Sequence, residues 1–238
     1  VDFSAEMERT LQVLDYAVLV ISGADGVQGH TQTLWRLLAR YHIPVFLFVN
    51  KMDQDGTDRE ALLSELKERL DDGCVDFSAP ADASFYEEVA VCDERALEHF
   101  LETGTVEAGD IRHLIAERKL FPCYFGSALR LFGVEELMRG LVNYSEEEQY
   151  PAEFGAKVFK IARDGQGNRL TYLKVTGGSL KVKTVFGDEK VNQIRIYSGE
   201  KYETVNEAEA GSICAVTGLL NTRPGQGLGA EASSALPV

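Results

Sequence analysis

The sequence predicts an α/β fold followed by an all-β part: a parallel sheet with flanking helices and a helical insertion, and then an antiparallel β-barrel. Three observations support this prediction. Residues 1–150 alternate apolar runs of strand length with amphipathic helical patterns. Residues 71–120 interrupt that alternation with an acidic segment of helical character. Beyond residue 151, short β-rich runs are separated by Gly, Asp and Asn turn signals, which is typical of an antiparallel barrel or sandwich.

The predicted strands of the first part are unbroken apolar runs. They are "YAVLVIS" at 16–22, "VFLFV" at 45–49 and "FPCYFG" at 121–126, and such runs indicate strands that a parallel sheet buries on both faces. Helices are predicted where apolar residues repeat at helical spacing, with these faces: Phe3, Met7, Leu11 and Leu14; Leu34, Leu37, Leu38 and Tyr41; Val134, Leu137, Met138, Leu141 and Val142. A further helix is predicted to begin at the capping box Thr57-x-x-Glu60 and to stop at Gly73.

Changes in composition predict the domain boundaries. The insertion, at about 71–120, carries 13 acidic against 4 basic residues and shows helical patterns around Leu97 and around Ile111. We expect it at the edge of the sheet. A polar linker at 148–153 then separates a first domain, 1–147, from a second domain, 154–238.

Composition narrows the class of protein. The chain has 238 residues, 45% of them apolar, which is enough to bury a core. Its four cysteines lie far apart without metal-ligand spacing, and no segment has the length and apolarity of a membrane span or a signal peptide. The net charge of −14 comes from residues 1–150, with 13 basic and 29 acidic residues, whereas residues 151–238 have 11 and 9. We therefore expect a cytoplasmic protein that binds neither membranes nor DNA and holds no metal by itself.

A polar quartet follows the buried run at 45–49: Asn50, Lys51, Met52 and Asp53. In open α/β sheets, ligands bind beyond the carboxyl ends of the strands. A carboxylate there accepts two hydrogen bonds from a flat N–H and NH₂ pair, which guanine offers and adenine lacks, while the Asn amide serves the ring nitrogen and ties neighbouring loops, and the Lys stem covers the ring face. The quartet therefore predicts guanine selection by Asn50, Lys51 and Asp53; the alternative is an exposed, charged turn.

A second loop completes the predicted pocket. "YFGSALR" at 124–130 also ends a strand, and Ser127 and Ala128 are small residues whose backbone N–H groups are available to a base oxygen. One loop gives acceptors and the other gives donors. The sequence thus predicts a guanine-binding site of Asn50, Lys51, Asp53, Ser127 and Ala128.

These motifs carry a resemblance. Asn50-Lys51-Met52-Asp53 and Gly126-Ser127-Ala128 resemble the fourth and fifth guanine-nucleotide motifs of GTP-binding domains. Residues 1–36 are similar to the stretch that follows the Asp-Thr-Pro-Gly-His switch motif in translational GTPases of the elongation factor G class. With the short insertion and "GSICAVTGL" at 211–219, the nearest group is the ribosomal-protection proteins of tetracycline-resistance type and their elongation-factor-like relatives.

The resemblance covers nearly the whole chain and implies a truncated GTP-binding domain followed by a β-barrel second domain of translation-factor type. It implies GTP or GDP as ligand, Mg²⁺ and GTP hydrolysis in the intact parent, and the ribosome, with its RNA and proteins, as partner. Because the chain begins without Met just after the switch motif and stops at "SSALPV", we expect a piece of a longer protein. The resemblance also implies small-subunit contacts for the second domain, with the candidates Lys157, Lys160, Lys174, Lys181 and Lys183, unless these lysines form a plain solvated face.

The sequence departs from the family at the phosphate side. No Gly-x₄-Gly-Lys-Ser/Thr occurs, so the printed residues carry no phosphate loop, and we expect no hydrolysis by this piece alone. The two Asp-x-x-Gly matches, 53–56 and 164–167, fall in the base loop and the barrel, and neither they nor His30, His42, His99 or His113 is predicted to be catalytic. Two alternatives stay open: a naturally non-catalytic ribosome-binding module, and an unrelated α/β protein that binds another protein through its acidic insertion.

Overall fold

The computed structural model describes residues 5–78 and 82–233. They form two compact units. One is Leu14–Glu147, and the other combines the N-terminal helix α1, Ala5–Leu11, with the chain from Glu148 onward. The contacts therefore group α1 with the second unit, although the sequence predicted it within the domain 1–147. Phe3, which the helical pattern included, lies outside the described residues, and Leu14 follows the end of α1.

The first unit is built on a four-stranded parallel sheet in the order β1-β2-β4-β3. The strands are β1 (Ala17–Ser22), β2 (Val45–Asn50), β3 (Cys74–Asp76) and β4 (Phe121–Phe125). The three predicted strands are confirmed, and the first five residues of β2 are buried on both faces. The short edge strand β3 was not predicted, and it lies within the acidic insertion.

Helices flank this sheet. They are α2 (Gly29–Arg40), α3 (Arg59–Arg69), α4 (Ala83–Ala90), α5 (Glu94–Thr103), α6 (Ala108–Ala116) and α7 (Val134–Tyr144). The prediction of a parallel sheet with flanking helices is confirmed. α5 and α6 coincide with the two helical patterns of the insertion, whereas α4 was not predicted. No helix within the described ranges combines the length and the apolarity needed to cross a bilayer.

The predicted start of α3 is wrong by one residue. Asp58, not Thr57, caps the helix, since its carboxylate accepts a hydrogen bond from the amide of Ala61 at 3.0 Å. The Thr57 hydroxyl instead bonds to the carbonyls of Met52 and Gln54, and so closes the turn that precedes the helix. The helix itself ends at Arg69, before the predicted stop at Gly73.

The second unit contains a six-stranded antiparallel sheet in the order β11-β10-β13-β6-β5-β14 and two two-stranded sheets, β12-β7 and β8-β9. Its strands are β5 (Gly155–Arg163), β6 (Arg169–Gly177), β7 (Ser179–Lys181), β8 (Val185–Phe186), β9 (Glu189–Lys190), β10 (Gln193–Ser198), β11 (Lys201–Val205), β12 (Glu207–Glu209), β13 (Ile213–Thr217) and β14 (Gly227–Gly229). An antiparallel second domain is confirmed, while closure of the sheet into a barrel stays a prediction.

Two of the strand lysines are not part of a solvated face. Lys157 and Lys174 are 9% and 6% exposed. The ammonium of Lys157 donates to the carbonyl of Ala232 at 2.7 Å and lies 3.7 Å from a carboxylate oxygen of Glu231. That of Lys174 lies over the ring of Tyr150. The solvated-face interpretation is therefore wrong for these two positions, because their side chains are buried and their charges are used inside the unit.

An aspartate organises the turn between β5 and β6. The Asp164 carboxylate accepts hydrogen bonds from the backbone amides of Gln166 at 3.0 Å and Asn168 at 2.9 Å, and it pairs with Arg195 at 3.1 Å. Hydrogen bonds from Asn168, its side-chain amide first, and the bond from Arg195 lower the pKa of Asp164 to about 2. The ionised carboxylate therefore stabilises the folded turn.

We predict an acid-sensitive share of stability from this turn. The pKa of Asp164 is lower in the folded state than the value of about 3.9 for a free aspartate. Its contribution is therefore complete above that value and is lost as the pH falls toward about 2. Urea unfolding across this interval should show a smaller pH dependence for Asp164→Asn than for the wild type. Asp188→Asn, at an exposed position of the same unit, should keep the wild-type slope. Equal slopes for all three proteins would contradict the assignment.

Candidate functional site

Two loops meet at the carboxyl edge of the parallel sheet. One follows β2 and holds the quartet 50–53, and the other follows β4 at Gly126. The Gly126 amide donates to the carbonyl of Val49 at 2.9 Å, and the Gly126 carbonyl accepts from the amide of Met52 at 3.0 Å. These two backbone hydrogen bonds extend the pairing of β2 with β4 into the loops, and so they fix the distance between the two predicted motifs.

The side chain of Asn50 joins the loops directly. Its Oδ1 atom accepts a hydrogen bond from the amide of Ala128 at 2.9 Å and another from the amide of Lys51 at 2.8 Å. One carboxamide oxygen therefore orders both loops at once. Lys51 itself has φ of +67°, a left-handed conformation that is uncommon for a residue with a side chain, and it is exposed. Such strain persists only where the surrounding structure enforces it, and here the Lys51 amide is held by its hydrogen bond to Asn50 Oδ1.

Asp53 and Ser127 face each other across the same junction. Hydrogen bonding by the Ser127 hydroxyl, with a smaller contribution from the nearby charge of Arg130, holds the pKa of Asp53 below its ordinary value. The Nε atom of Arg130 lies 3.8 Å from a carboxylate oxygen of Asp53. The Asp53 side chain is 33% exposed, whereas Ser127 is buried. Asp53 is therefore an ionised acceptor that is oriented from one side and open to solvent on another.

The structure changes the predicted role of one amide. The sequence predicted that the backbone N–H groups of both Ser127 and Ala128 would be available to a base oxygen. The Ser127 amide is already donated to the carbonyl of Phe132 at 2.9 Å, in the bridge that closes this loop. The Ala128 amide also has an acceptor, Oδ1 of Asn50, but Ala128 is exposed whereas Ser127 is buried. The Ser127 hydroxyl hydrogen-bonds with the carboxylate of Asp53.

A third loop, residues 22–28, was missed by the sequence analysis. Ser22 pairs with Asn50 at the end of β1, and the amide of Gly23 donates to the carbonyl of Asn50 at 2.7 Å. This loop and the quartet line a cleft of about 320 Å³, whose lining residues include Ser22, Asp25, His30, Asn50 and Lys51. The signal available in the sequence was the end of the first apolar run, because neighbouring parallel strands end at one edge of the sheet.

The helical insertion has a polar cleft of its own, of about 490 Å³, between α5 and α6. His99 and His113 line it, and Lys119 bridges Asp93 and Glu117 at 2.8 Å each. Hydrogen bonds with Lys119 lower the pKa of both carboxyls. Within residues 5–78 and 82–233, no three His, Cys, Asp or Glu side chains gather as a possible metal site.

A parallel α/β sheet with polar loops joined at neighbouring strand ends has the architecture of a nucleotide-binding domain. The family model described as "Elongation factor Tu GTP binding domain" matches residues 1–147, and that described as "Elongation factor G domain 2" matches residues 153–230. The chain therefore belongs to the elongation factor Tu GTP-binding domain family, in the arrangement found in translational GTPases of the elongation factor G type.

Individual relatives agree with this assignment. The chain is 28% identical to elongation factor G of Ureaplasma parvum serovar 3 and 30% identical to elongation factor G of Ureaplasma urealyticum serovar 10. Each match covers 94% of the chain and 44% of the relative, so the chain spans less than half the length of these proteins. A crystal structure of a Thermus thermophilus protein shares the fold, with a TM-score of 0.80, at 23% identity, over 98% of this chain and 43% of that one.

The closeness of the two loops predicts the outcome of a glycine substitution. A Cβ atom on Gly126 would lie 2.1 Å from the carbonyl oxygen of Phe132, so Gly126→Ala should lower the free energy of unfolding by about 1–3 kcal/mol. Gly109, within α6, has nothing within 4 Å of such an atom, and Gly109→Ala should raise it by about 0.5–1 kcal/mol. Urea unfolding measures both; a Gly126→Ala protein at least as stable as the wild type would contradict the packing described here.

Proposed function

We propose that this chain carries the guanine-reading part of the nucleotide site of a ribosome-associated translational GTPase. The hydrogen bond from the Ala128 amide to Asn50 Oδ1 carries the proposal, because it brings residues 78 positions apart in the sequence into one junction. The family membership of residues 1–147 supports GTP or GDP as the ligand. The whole protein hydrolyses GTP with Mg²⁺ and works in the cytoplasm on the ribosome, its RNA and its proteins.

The arrangement of acceptors and donors fits a guanine base. Asp53 is an ionised, partly exposed acceptor, and a carboxylate can take both the ring N–H and the exocyclic amine of guanine. In this proposal the exposed Ala128 amide is shared between Asn50 and the base oxygen, and the exposed stem of Lys51 covers a ring face. Asn50 holds both loops, and Ser127 orients Asp53. Adenine presents neither the N–H and amine pair nor the oxygen, so it leaves these groups unpaired.

The proposal gives these 238 residues no part in phosphate binding or hydrolysis. The printed residues contain no Gly-x₄-Gly-Lys-Ser/Thr, so we propose that they bind the base and that these 238 residues alone do not hydrolyse GTP. We propose a GTP-binding domain at 1–147 with an acidic insertion at about 71–120, a linker at 148–153, and a β-barrel second domain at 154–238. The resemblance to ribosomal-protection proteins, which rests on residues 1–36 together with the short insertion and residues 211–219, is retained within the proposal, and tetracycline sensitivity of translation with the whole protein tests it.

Replacement of one carboxylate oxygen of Asp53 by an NH₂ group tests whether this residue recognises the base. In the whole protein, Asp53→Asn places a donor where guanine needs an acceptor, so GTP affinity should fall by at least about 100-fold. Xanthosine triphosphate, with an oxygen at that ring position, should bind more tightly to the variant than to the wild type. Calorimetric titration with both nucleotides measures the change.

The matched control lies in the same loop. Asp55 is exposed, and Asp55→Asn removes the same charge two residues away, so it should leave the preference for GTP unchanged. If Asp53→Asn also leaves that preference unchanged, or if the wild type binds ATP as tightly as GTP, the guanine site is not where we propose.

A further inference from the structure

Arg130 lies at the edge of the proposed base site. It lies within the second loop, and its amide donates to both the carbonyl, at 3.2 Å, and the hydroxyl, at 3.3 Å, of Ser127. These hydrogen bonds fix the position of the Arg130 backbone, from which the side chain extends. The side chain is 73% exposed, and its Nε atom lies 3.8 Å from the carboxylate of Asp53. A long, flexible cation is therefore anchored beside the one carboxylate that the proposed function gives to the base.

The guanidinium of Arg130 and the guanine edge would present similar planar sets of N–H donors to Asp53. A guanidinium presents N–H groups in a flat fork around one carbon, and the edge of guanine that a carboxylate recognises is a cyclic guanidine with its N–H and NH₂ groups in one plane. Asp53 has a single carboxylate for both. An arginine that is placed on it from within the chain competes with the base for the same acceptor atoms.

We propose that Arg130 is a built-in competitor for the guanine edge: its guanidinium pairs with Asp53 when the base is absent and swings away when a guanine nucleotide binds. The inference rests on the proposed function, because it needs Asp53 as the base acceptor. The pair stabilises the nucleotide-free site, so it weakens guanine-nucleotide binding and assists release.

The strength of the pair sets the size of the effect. Exposed ion pairs contribute little, because water screens them and two flexible side chains must be ordered. Removal of such a competitor should therefore tighten guanine-nucleotide binding by about 2- to 5-fold. A much stronger pair would close the site to the base, whereas a pair of this strength modulates affinity without blocking it.

The chain offers a matched control for the lost charge. Arg139, in α7, is 64% exposed and pairs with Glu136 at 3.9 Å, so it resembles Arg130 in exposure and in ion pairing. Arg130→Gln and Arg139→Gln each remove one positive charge from the same unit. Any general loss of attraction for the phosphates affects both variants, and the competitor is removed in only one.

The experiment is a titration of the whole protein and its variants with GDP by calorimetry. Arg130→Gln should bind GDP about 2- to 5-fold more tightly than Arg139→Gln does. In an Asp53→Asn background, titrated with xanthosine diphosphate, the difference between the two variants should vanish, since the carboxylate that Arg130 occupies is gone.

The outcomes separate the two proposals. If Asp53→Asn does not shift preference toward xanthosine nucleotides, the proposed function fails, and this inference fails with it. If the preference shifts but Arg130→Gln binds GDP no more tightly than the control, only the competitor role is overturned. Weaker binding by Arg130→Gln than by the control overturns it too, because Arg130 would then contact the nucleotide favourably.

Discussion

One carboxamide oxygen holds the candidate site together. Oδ1 of Asn50 accepts hydrogen bonds from the amides of Lys51 and Ala128, and so it joins the two loops at one point. Each bond is of ordinary length, and a hydrogen bond of this kind contributes about 1 kcal/mol net. The importance of the Asn50 side chain is geometric, because it holds the strained turn at Lys51 and the second loop together.

That junction depends in turn on the sheet beneath it. The buried strand β2 lies between β1 and β4, so loops from three strand ends converge on Asn50. Glycine at 126 allows the second loop to pass close to the carbonyl of Phe132, and glycine at 23 allows the third loop to contact the carbonyl of Asn50 and the sulfur of Met52. At both positions the backbone approaches a neighbouring group closely, so a residue with a side chain would not fit there without a shift.

The parts of the fold that depend least on contacts between distant residues were predictable from the sequence. Unbroken apolar runs such as 45–49 identify buried strands by themselves, and the motif at 50–53 follows directly from one of them. The three-residue strand β3 escaped prediction because its pairing with β4, and not its own composition, makes it a strand. Burial of Lys157 was equally invisible, since it depends on Glu231 and Ala232, which are more than 70 positions away. Within the site, the residue types were predictable, but the commitment of the Ser127 amide to Phe132 and the arrival of the third loop were matters of tertiary geometry.

We propose that Lys51, Asp53 and Ala128, held in place by Asn50, contact a guanine base. Backbone amide signals in a nitrogen-15 correlation spectrum, recorded during parallel titrations with GDP and ADP, test it at the residues concerned. The signals of Lys51 and Ala128 should shift with GDP and stay unchanged at the same concentration of ADP. Equal shifts with both nucleotides, or GDP binding that leaves both signals in place, would contradict it.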